Sequence, residues 1–286
     1  YDYIFNKSGK KVRASISLIS SYGMNKNQQN RVKLAAIIEL LHTATLVHDD
    51  IVDNSDLRRG RTTVNVAWSN SHGVLIGDFI YSKAFMLMNE IGNLKVVDEL
   101  SSATNKIAEG ELMQLENKNN LDTSLQQLKR ISYYKTGRLF EASAKSAAML
   151  SNKSTSFTEN ISKAAKLIGI AFQVRDDLLD YGISKGNIGK PEMQDILEYK
   201  ITYPLYFALK SSSKKDTSRI LKKIKNKDFN AEEVSDFVSS SDAFNKCNSL
   251  IQSYSNEISK CINKLSNNEI RNEMLNLSES LKNRYE

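Results

Sequence analysis

The chain has 286 residues with only 12 Gly and 2 Pro, too little turn chemistry for a many-stranded protein, and it lacks both a signal-peptide pattern and a run of about 18 apolar residues suited to a membrane span. Its formal charge of +7 favours acidic partners, yet no zinc-finger, helix-turn-helix or RNA-binding pattern accompanies it, which sets nucleic acid aside. The 2 cysteines, Cys247 and Cys261, lack metal-ligand spacing and lie in a polar C-terminal tail, so free thiols in a reducing, cytoplasmic compartment are expected.

Apolar residues recur at three- and four-residue spacing with Lys, Asn and Ser between them, which predicts an all-α fold in one domain over 1–286. Near the start, Gly9-Lys10-Lys11-Val12-Arg13 leads into an apolar helix over 14–21. Cations at a helix N-terminus oppose the macrodipole, so they ask for an anion nearby; a solvated charged turn is the plainer alternative. A helix over 30–52 follows and ends in His48-Asp49-Asp50-Ile51-Val52-Asp53. Asp49 and Asp53 are four residues apart and share a helix face, with His42 seven residues before Asp49 on roughly the same line. Such a carboxylate pair suits Mg²⁺, which keeps several waters and is usually shared with phosphates. A lone DDxxD is also met as an exposed acidic helix end. Immediately beyond it lies the basic loop Arg58-Arg59-Gly60-Arg61, rich in the side chain that grips phosphate in fork fashion.

Further along, the helix from Gly77 through Phe85, Met86 and Met88 reads as core or as the wall of a deep apolar cavity, with Met113 a further candidate for its floor. The run 106–115 is helical and carries Glu109, Glu111 and Gln114. In Tyr133-Tyr134-Lys135-Thr136-Gly137 a glycine interrupts a helix, which lowers propensity and opens the backbone beside a Lys-Thr pair able to bind phosphate. The helical run 164–174, with Gln173, then ends in Asp176-Asp177-Leu178-Leu179-Asp180, a second DDxxD. Two such motifs imply opposed helices holding a cluster of Mg²⁺ ions, two or three per site, around a strongly anionic ligand such as a diphosphate. Lys190 and Lys200 follow and could close that site. The catalytic helices run to about residue 209, and 210–286 continues the same domain, with a basic, solvated face over 210–227.

Taken together, the blocks His42 to Asp53, Asp56-Leu57-Arg58-Arg59-Gly60, Gly77-Asp78-Phe79, Lys135-Thr136 and Phe172-Gln173 through Asp180 resemble the trans-type polyprenyl diphosphate synthases, most closely their long-chain octaprenyl branch, over Gly9 to about Leu209. The resemblance implies a bundle of long helices around a central cavity, a homodimer, and head-to-tail condensation of isopentenyl diphosphate onto an allylic diphosphate, in the long-chain branch to supply a quinone side chain. It assigns Lys10, Arg13, His42 and Arg59 to isopentenyl diphosphate. It assigns Asp49, Asp53, Asp176 and Asp180 to Mg²⁺, and Arg58, Lys135, Thr136, Gln173, Lys190 and Lys200 to the allylic diphosphate. Asp49, Asp53, Asp176 and Lys135 form the catalytic set.

Two departures concern the loop after the second motif: the family commonly has glycine where Met193 and Tyr199 stand. A third is Ala14, where proline is common. Product length is expected to follow from Ala44 and Thr45, the two positions at which a bulky aromatic closes the cavity early in short-chain members. Small residues there predict a tunnel passing Leu41 and Ile38 and a product of about C30–C40, since one helical turn of about 5.4 Å matches roughly one isoprene unit. A short-chain farnesyl or geranylgeranyl synthase is the nearest alternative. A terpene cyclase and the regulatory subunit of a heterodimeric synthase fit less well, because both aspartate motifs are intact. A basic helical protein of acidic membrane surfaces is the remaining rival; for a synthase, such contact would be transient, during product release.

Overall fold

The computed structural model describes residues 2–5, 9–23, 28–58, 60–118, 120–181 and 193–282. These form α1 (Asp2–Phe5), α2 (Val12–Ser20), α3 (Gln28–Val52), a two-stranded hairpin of β1 (Leu57–Arg58) and β2 (Arg61–Thr62), α4 (Val64–Ala67), α5 (Asn70–Ile91), α6 (Leu94–Glu116) and α7 (Leu125–Ser132). A π-helical turn (Tyr133–Gly137) leads into α8 (Arg138–Leu150), followed by α9 (Thr155–Asp180), α10 (Gln194–Leu197), α11 (Tyr203–Ser211), α12 (Lys214–Lys225), α13 (Ala231–Ser239), α14 (Ala243–Ile262) and α15 (Asn268–Lys282).

Helix α3 begins two residues earlier than its apolar pattern suggests and buries Leu34, Ile37, Ile38 and Leu41 on one face. That face packs on α5 and forms one core cluster with Ala84 and Met88 of α5 and Leu100 and Ala103 of α6. Each aliphatic side chain so buried stabilises the fold by roughly 1.5–3 kcal/mol relative to exposure. A second core joins α8, α9, α14 and α15 through Phe140, Ile161, Ile168 and Ile262, so the C-terminal helices pack directly on the helix that carries the second aspartate motif. Cys247 and Cys261, expected in a polar tail, instead face inward from α14: the helix is polar on one side only, and both thiols are buried in the core and unoxidised. Phe85 and Met86 are exposed on α5, so neither floors an interior cavity, whereas Met88 on the adjoining face is core.

The π-helical turn coincides with the mid-helix glycine. A Cβ at Gly110 would stand 2.8 Å from the amide nitrogen of Lys135, and one at Gly169 would stand 2.8 Å from Gly137 Cα. Only residues without side chains let α6 and α9 close on the turn from both sides. The turn is pinned, and the widened backbone rotates Lys135 and Thr136 toward the space between α3 and α9.

Candidate active site

The C-terminal ends of α3 and α9 open on one cavity of about 1360 Å³. Asp49, Asp53, Asp176 and Asp180 line it from one end, with Lys135 and Lys200 beside them. Both motifs thus place carboxylates at helix C-termini, where the macrodipole disfavours negative charge by about 0.3–1 kcal/mol per group. The arrangement concentrates negative potential and has to be met by cations.

In the first motif the cations are three lysines and Arg58. Asp53 stands just past the helix end, where Asn54 turns left-handed (φ 49°), and its carboxylate lies 3.0 Å from Lys200 Nζ and 3.7 Å from Lys118 Nζ. Against burial, which would raise it, Lys200 and Lys135 hold the Asp53 carboxyl below its ordinary range. Asp49 behaves oppositely: burial pushes it up, and Lys135 and Arg58 offset this only in part. Lys135 Nζ donates to Glu111 Oε2 and to Gln114 Oε1, both at 2.9 Å. Asp50 is buried and accepts from Arg58 Nε at 2.6 Å, so this arginine is returned to α3 by the β1–β2 hairpin.

In the second motif the following chain supplies the partners. Asp177, fully buried, accepts from Gln173 Nε2 at 2.9 Å and from the backbone N–H of Tyr203 at 3.2 Å. Asp180 accepts the backbone N–H groups of Gln194 and Asp195, each at 3.2 Å. It therefore anchors α10. Thr136 Oγ1 donates to Gln173 Oε1 at 2.7 Å, tying the π turn to α9. Lys200, which is buried, also pairs with Glu198, and the acidic groups around it raise its pKa although burial alone would lower it.

At the other side of the cavity the Arg13 guanidinium lies 4.5 Å over the Phe140 ring and donates to His42 Nε2 at 3.1 Å. Lys10 and Arg58 also line the cavity. Arg59 and Lys190, assigned to the two diphosphates, lie outside the described residues. Thr45 lines the cavity, but Ala44 is fully buried and absent from its lining, as are Leu41 and Ile38. The expected tunnel along these positions is packed core in this structure, where Leu41 and Ile38 are fully buried in one cluster with residues of α5, α6 and α8.

Sequence reading left Glu111, Gln114, Lys118, Asp195, Glu198 and Tyr203 without a role. For Glu111 and Gln114 a signal existed, since polar groups three apart in an otherwise apolar helix mark one inward face. For Lys118, Glu198 and Tyr203 none did. Among the described residues no three His, Cys, Asp or Glu side chains are arranged to enclose a metal ion by themselves.

A family model described as polyprenyl synthetase matches residues 1–240. The octaprenyl diphosphate synthase of Escherichia coli (strain K12) is 42% identical over 207 residues, 72% of this chain and 64% of that relative's length. The crystal structure of a decaprenyl diphosphate synthase from Rhodobacter capsulatus superposes with TM-score 0.92 at 30% identity, covering 99% of this chain and 88% of that one. A polyprenyl synthase from Caulobacter crescentus CB15, complexed with calcium and isoprenyl diphosphate, gives TM-score 0.94 at 28% identity over 100% of this chain and 88% of the other.

Proposed function

The chain belongs to the polyprenyl synthetase family, and from that premise we propose that it condenses isopentenyl diphosphate onto an allylic diphosphate, building an all-trans polyprenyl diphosphate of about C30–C40. One observation carries the reading: carboxylates from two helix ends, Asp49 and Asp53 on one side and Asp176 on the other, line a single cavity with Lys135 and Lys200. The oxygen-only donors fit Mg²⁺, and the similar Caulobacter crescentus structure, complexed with calcium and isoprenyl diphosphate, supports a divalent-cation and diphosphate site. Asp49, Asp53 and Asp176 would hold the ion. When bound, it would neutralise the diphosphate leaving group.

The residues of this chain divide the remaining tasks. Lys135 and Lys200, already seated against acidic groups, would turn to the allylic diphosphate and stabilise the charge that develops as its C–O bond ionises. Thr136 and Gln173 would position the same group. Arg13 and His42, with Lys10 at the rim, would hold isopentenyl diphosphate so that its double bond faces the allylic cation. A proton lost after the new bond forms would leave an allylic diphosphate five carbons longer. No protein nucleophile takes part.

The face of α5 and α6 that carries exposed Leu75, Phe79, Phe85, Met86 and Leu112 supports a second copy of the chain as its partner, an apolar surface that a lone subunit would leave wet. Its chemistry also suits transient contact of the +7 chain with an acidic membrane surface while an apolar product leaves.

The short-chain alternative has one observation in its favour, the closed packing around Ala44, Leu41 and Ile38. Incubating the purified chain with labelled isopentenyl diphosphate, farnesyl diphosphate and Mg²⁺, then sizing the products, separates the readings. Products near C40 support the long-chain reading. A stop at about C15–C20 assigns the closed core as the true floor, and no elongation removes the activity altogether. Thr45→Phe, at the position that does line the cavity, is expected to shorten a long product by about one or more units while the first condensation persists.

A further inference from the structure

A buried circuit of hydrogen bonds runs behind the cavity. Tyr203 opens α11 with 1% of its surface exposed, and its hydroxyl donates at 3.1 Å to Oγ of Ser132, the residue directly before the π-helical turn. The backbone N–H of the same tyrosine donates to Asp177 Oδ2 at 3.2 Å. Asp177 Oδ1 accepts from Gln173 Nε2 at 2.9 Å, and Gln173 Oε1 accepts from Thr136 Oγ1 at 2.7 Å, back inside the turn. The circuit closes from Ser132 along the turn to Thr136, across α9 and through Tyr203.

The two segments it joins carry the two lysines of the site. Lys135 sits within the turn, and Lys200 precedes Tyr203 by three residues. Both ammonium groups act on Asp53, and each raises the cost of the other's charge. Lys135 Nζ is held by Glu111 and Gln114, and Lys200 Nζ by Asp53 and Glu198, so neither ammonium moves independently of the segment that carries it. Their spacing is therefore a property of the two segments, and the Tyr203–Ser132 bond joins those segments directly across a separation of 71 residues. Stability alone does not call for it, since an apolar pair of the same shape buried in place of two hydroxyls is nearly neutral or better. What the bond adds is geometry.

We infer that Tyr203 and Ser132 are a positioning pair that sets the distance between the Lys135 turn and the Lys200 segment, and so the fit of the cavity to the allylic diphosphate. The inference rests on the diphosphate reading of the site. Its test uses Tyr203→Phe, Ser132→Ala and the double variant, with three readouts: calorimetric affinity for inorganic diphosphate in saturating Mg²⁺, KM for farnesyl and for isopentenyl diphosphate, and the thermal midpoint. Each single variant is expected to weaken diphosphate binding and raise the farnesyl diphosphate KM by about 5- to 10-fold, with the isopentenyl diphosphate KM within about twofold of wild type. The double variant is expected to be no worse than the more affected single one, because both remove the same bond. Diphosphate affinity and farnesyl diphosphate KM within about twofold of wild type in both single variants would overturn the inference, whatever the thermal midpoint does. So would an equal rise in both KM values. A wild-type chain that binds diphosphate without elongating would sink the proposed activity alone, and the variants' diphosphate affinities would still decide the pairing.

Discussion

The two DDxxD motifs are the same five-residue pattern at the same place, the C-terminal end of a long helix, and yet they are held differently. In each, the middle aspartate is buried and taken by the chain that follows: Asp50 by the side chain of Arg58, Asp177 by the backbone of Tyr203. The last aspartates then part ways. Asp53 is met by the side-chain ammonium groups of Lys200 and Lys118, whereas Asp180 is met by two backbone N–H groups that belong to α10. On the proposed reading, the first motif would supply a pair of ligands and an anchor, and the second one ligand and two anchors. A motif names the residue types at a site, but the segment after it decides how many of them are left for chemistry.

The sharpest way to break this comparison is by rate. Asp49→Ala and Asp176→Ala are each expected to leave a folded helical protein whose turnover falls by about 10²–10³, the loss of about 3–4 kcal/mol of charge stabilisation. Asp180→Asn, which retains one acceptor oxygen for α10, is expected to cost about tenfold or less. Steady-state kinetics at saturating Mg²⁺ would tell: if Asp180→Asn is as damaging as Asp176→Ala, the second motif supplies two ligands and the distinction is wrong.

A smaller effect separates the motifs by pH. Burial, reinforced by Asp195, pushes the Asp177 carboxyl well above its ordinary 3.8, so the folded chain binds that proton more tightly than the unfolded one. Its contribution to stability therefore falls as pH rises above 3.8 through the raised value. Asp53 has the opposite sign: held below 3.8 in the fold, its contribution is present above that pH and is lost as pH falls through the lowered value. Thermal melts of the metal-free protein are expected to show Asp177→Asn gaining on wild type by a few degrees as pH rises toward 7, and Asp53→Asn losing ground as pH rises through its own lower window. The lost acceptor in either variant adds an offset independent of pH, so the slope is the readout. Parallel slopes for the two variants would contradict the assignment.

The smallest effect probes the segment that makes the second motif different. Met193 (φ 63°) and Tyr199 (φ 59°) both adopt the left-handed conformation, which favours glycine, at the two positions where the family resemblance leads one to expect it. Each stores about 1–2 kcal/mol of strain, which the chain offsets by packing: Met193 is buried in a core cluster, and Tyr199 meets Phe229 edge-on at 6.0 Å with Lys227 Nζ 5.0 Å from its own ring. Tyr199→Gly relieves the strain and loses contacts worth about 0.5–1.5 kcal/mol, so its net effect on stability is expected to lie within about 1 kcal/mol of zero. Denaturant titration checks this; a loss of more than about 2 kcal/mol would mean that Tyr199 is held by more than these contacts.

Read from the amino acids alone, this chain yields its helical class, both aspartate helices, the open turn at Lys135 and the acidic-basic composition of the candidate site. Those features are local: three- and four-residue periodicity, a carboxylate pair one turn apart and a glycine inside a helix are properties of neighbours in sequence. Tertiary structure alone decided that Lys118 and Lys200 converge on Asp53, that Asp180 accepts from the backbone of α10, that Cys247 and Cys261 are core, and that Ala44 lies in packed interior while Thr45 borders the cavity. Each of these depends on groups brought together from far apart along the chain, by packing that no spacing in the sequence encodes. Burial then sets the electrostatic cost of every charge at the site, and so its role.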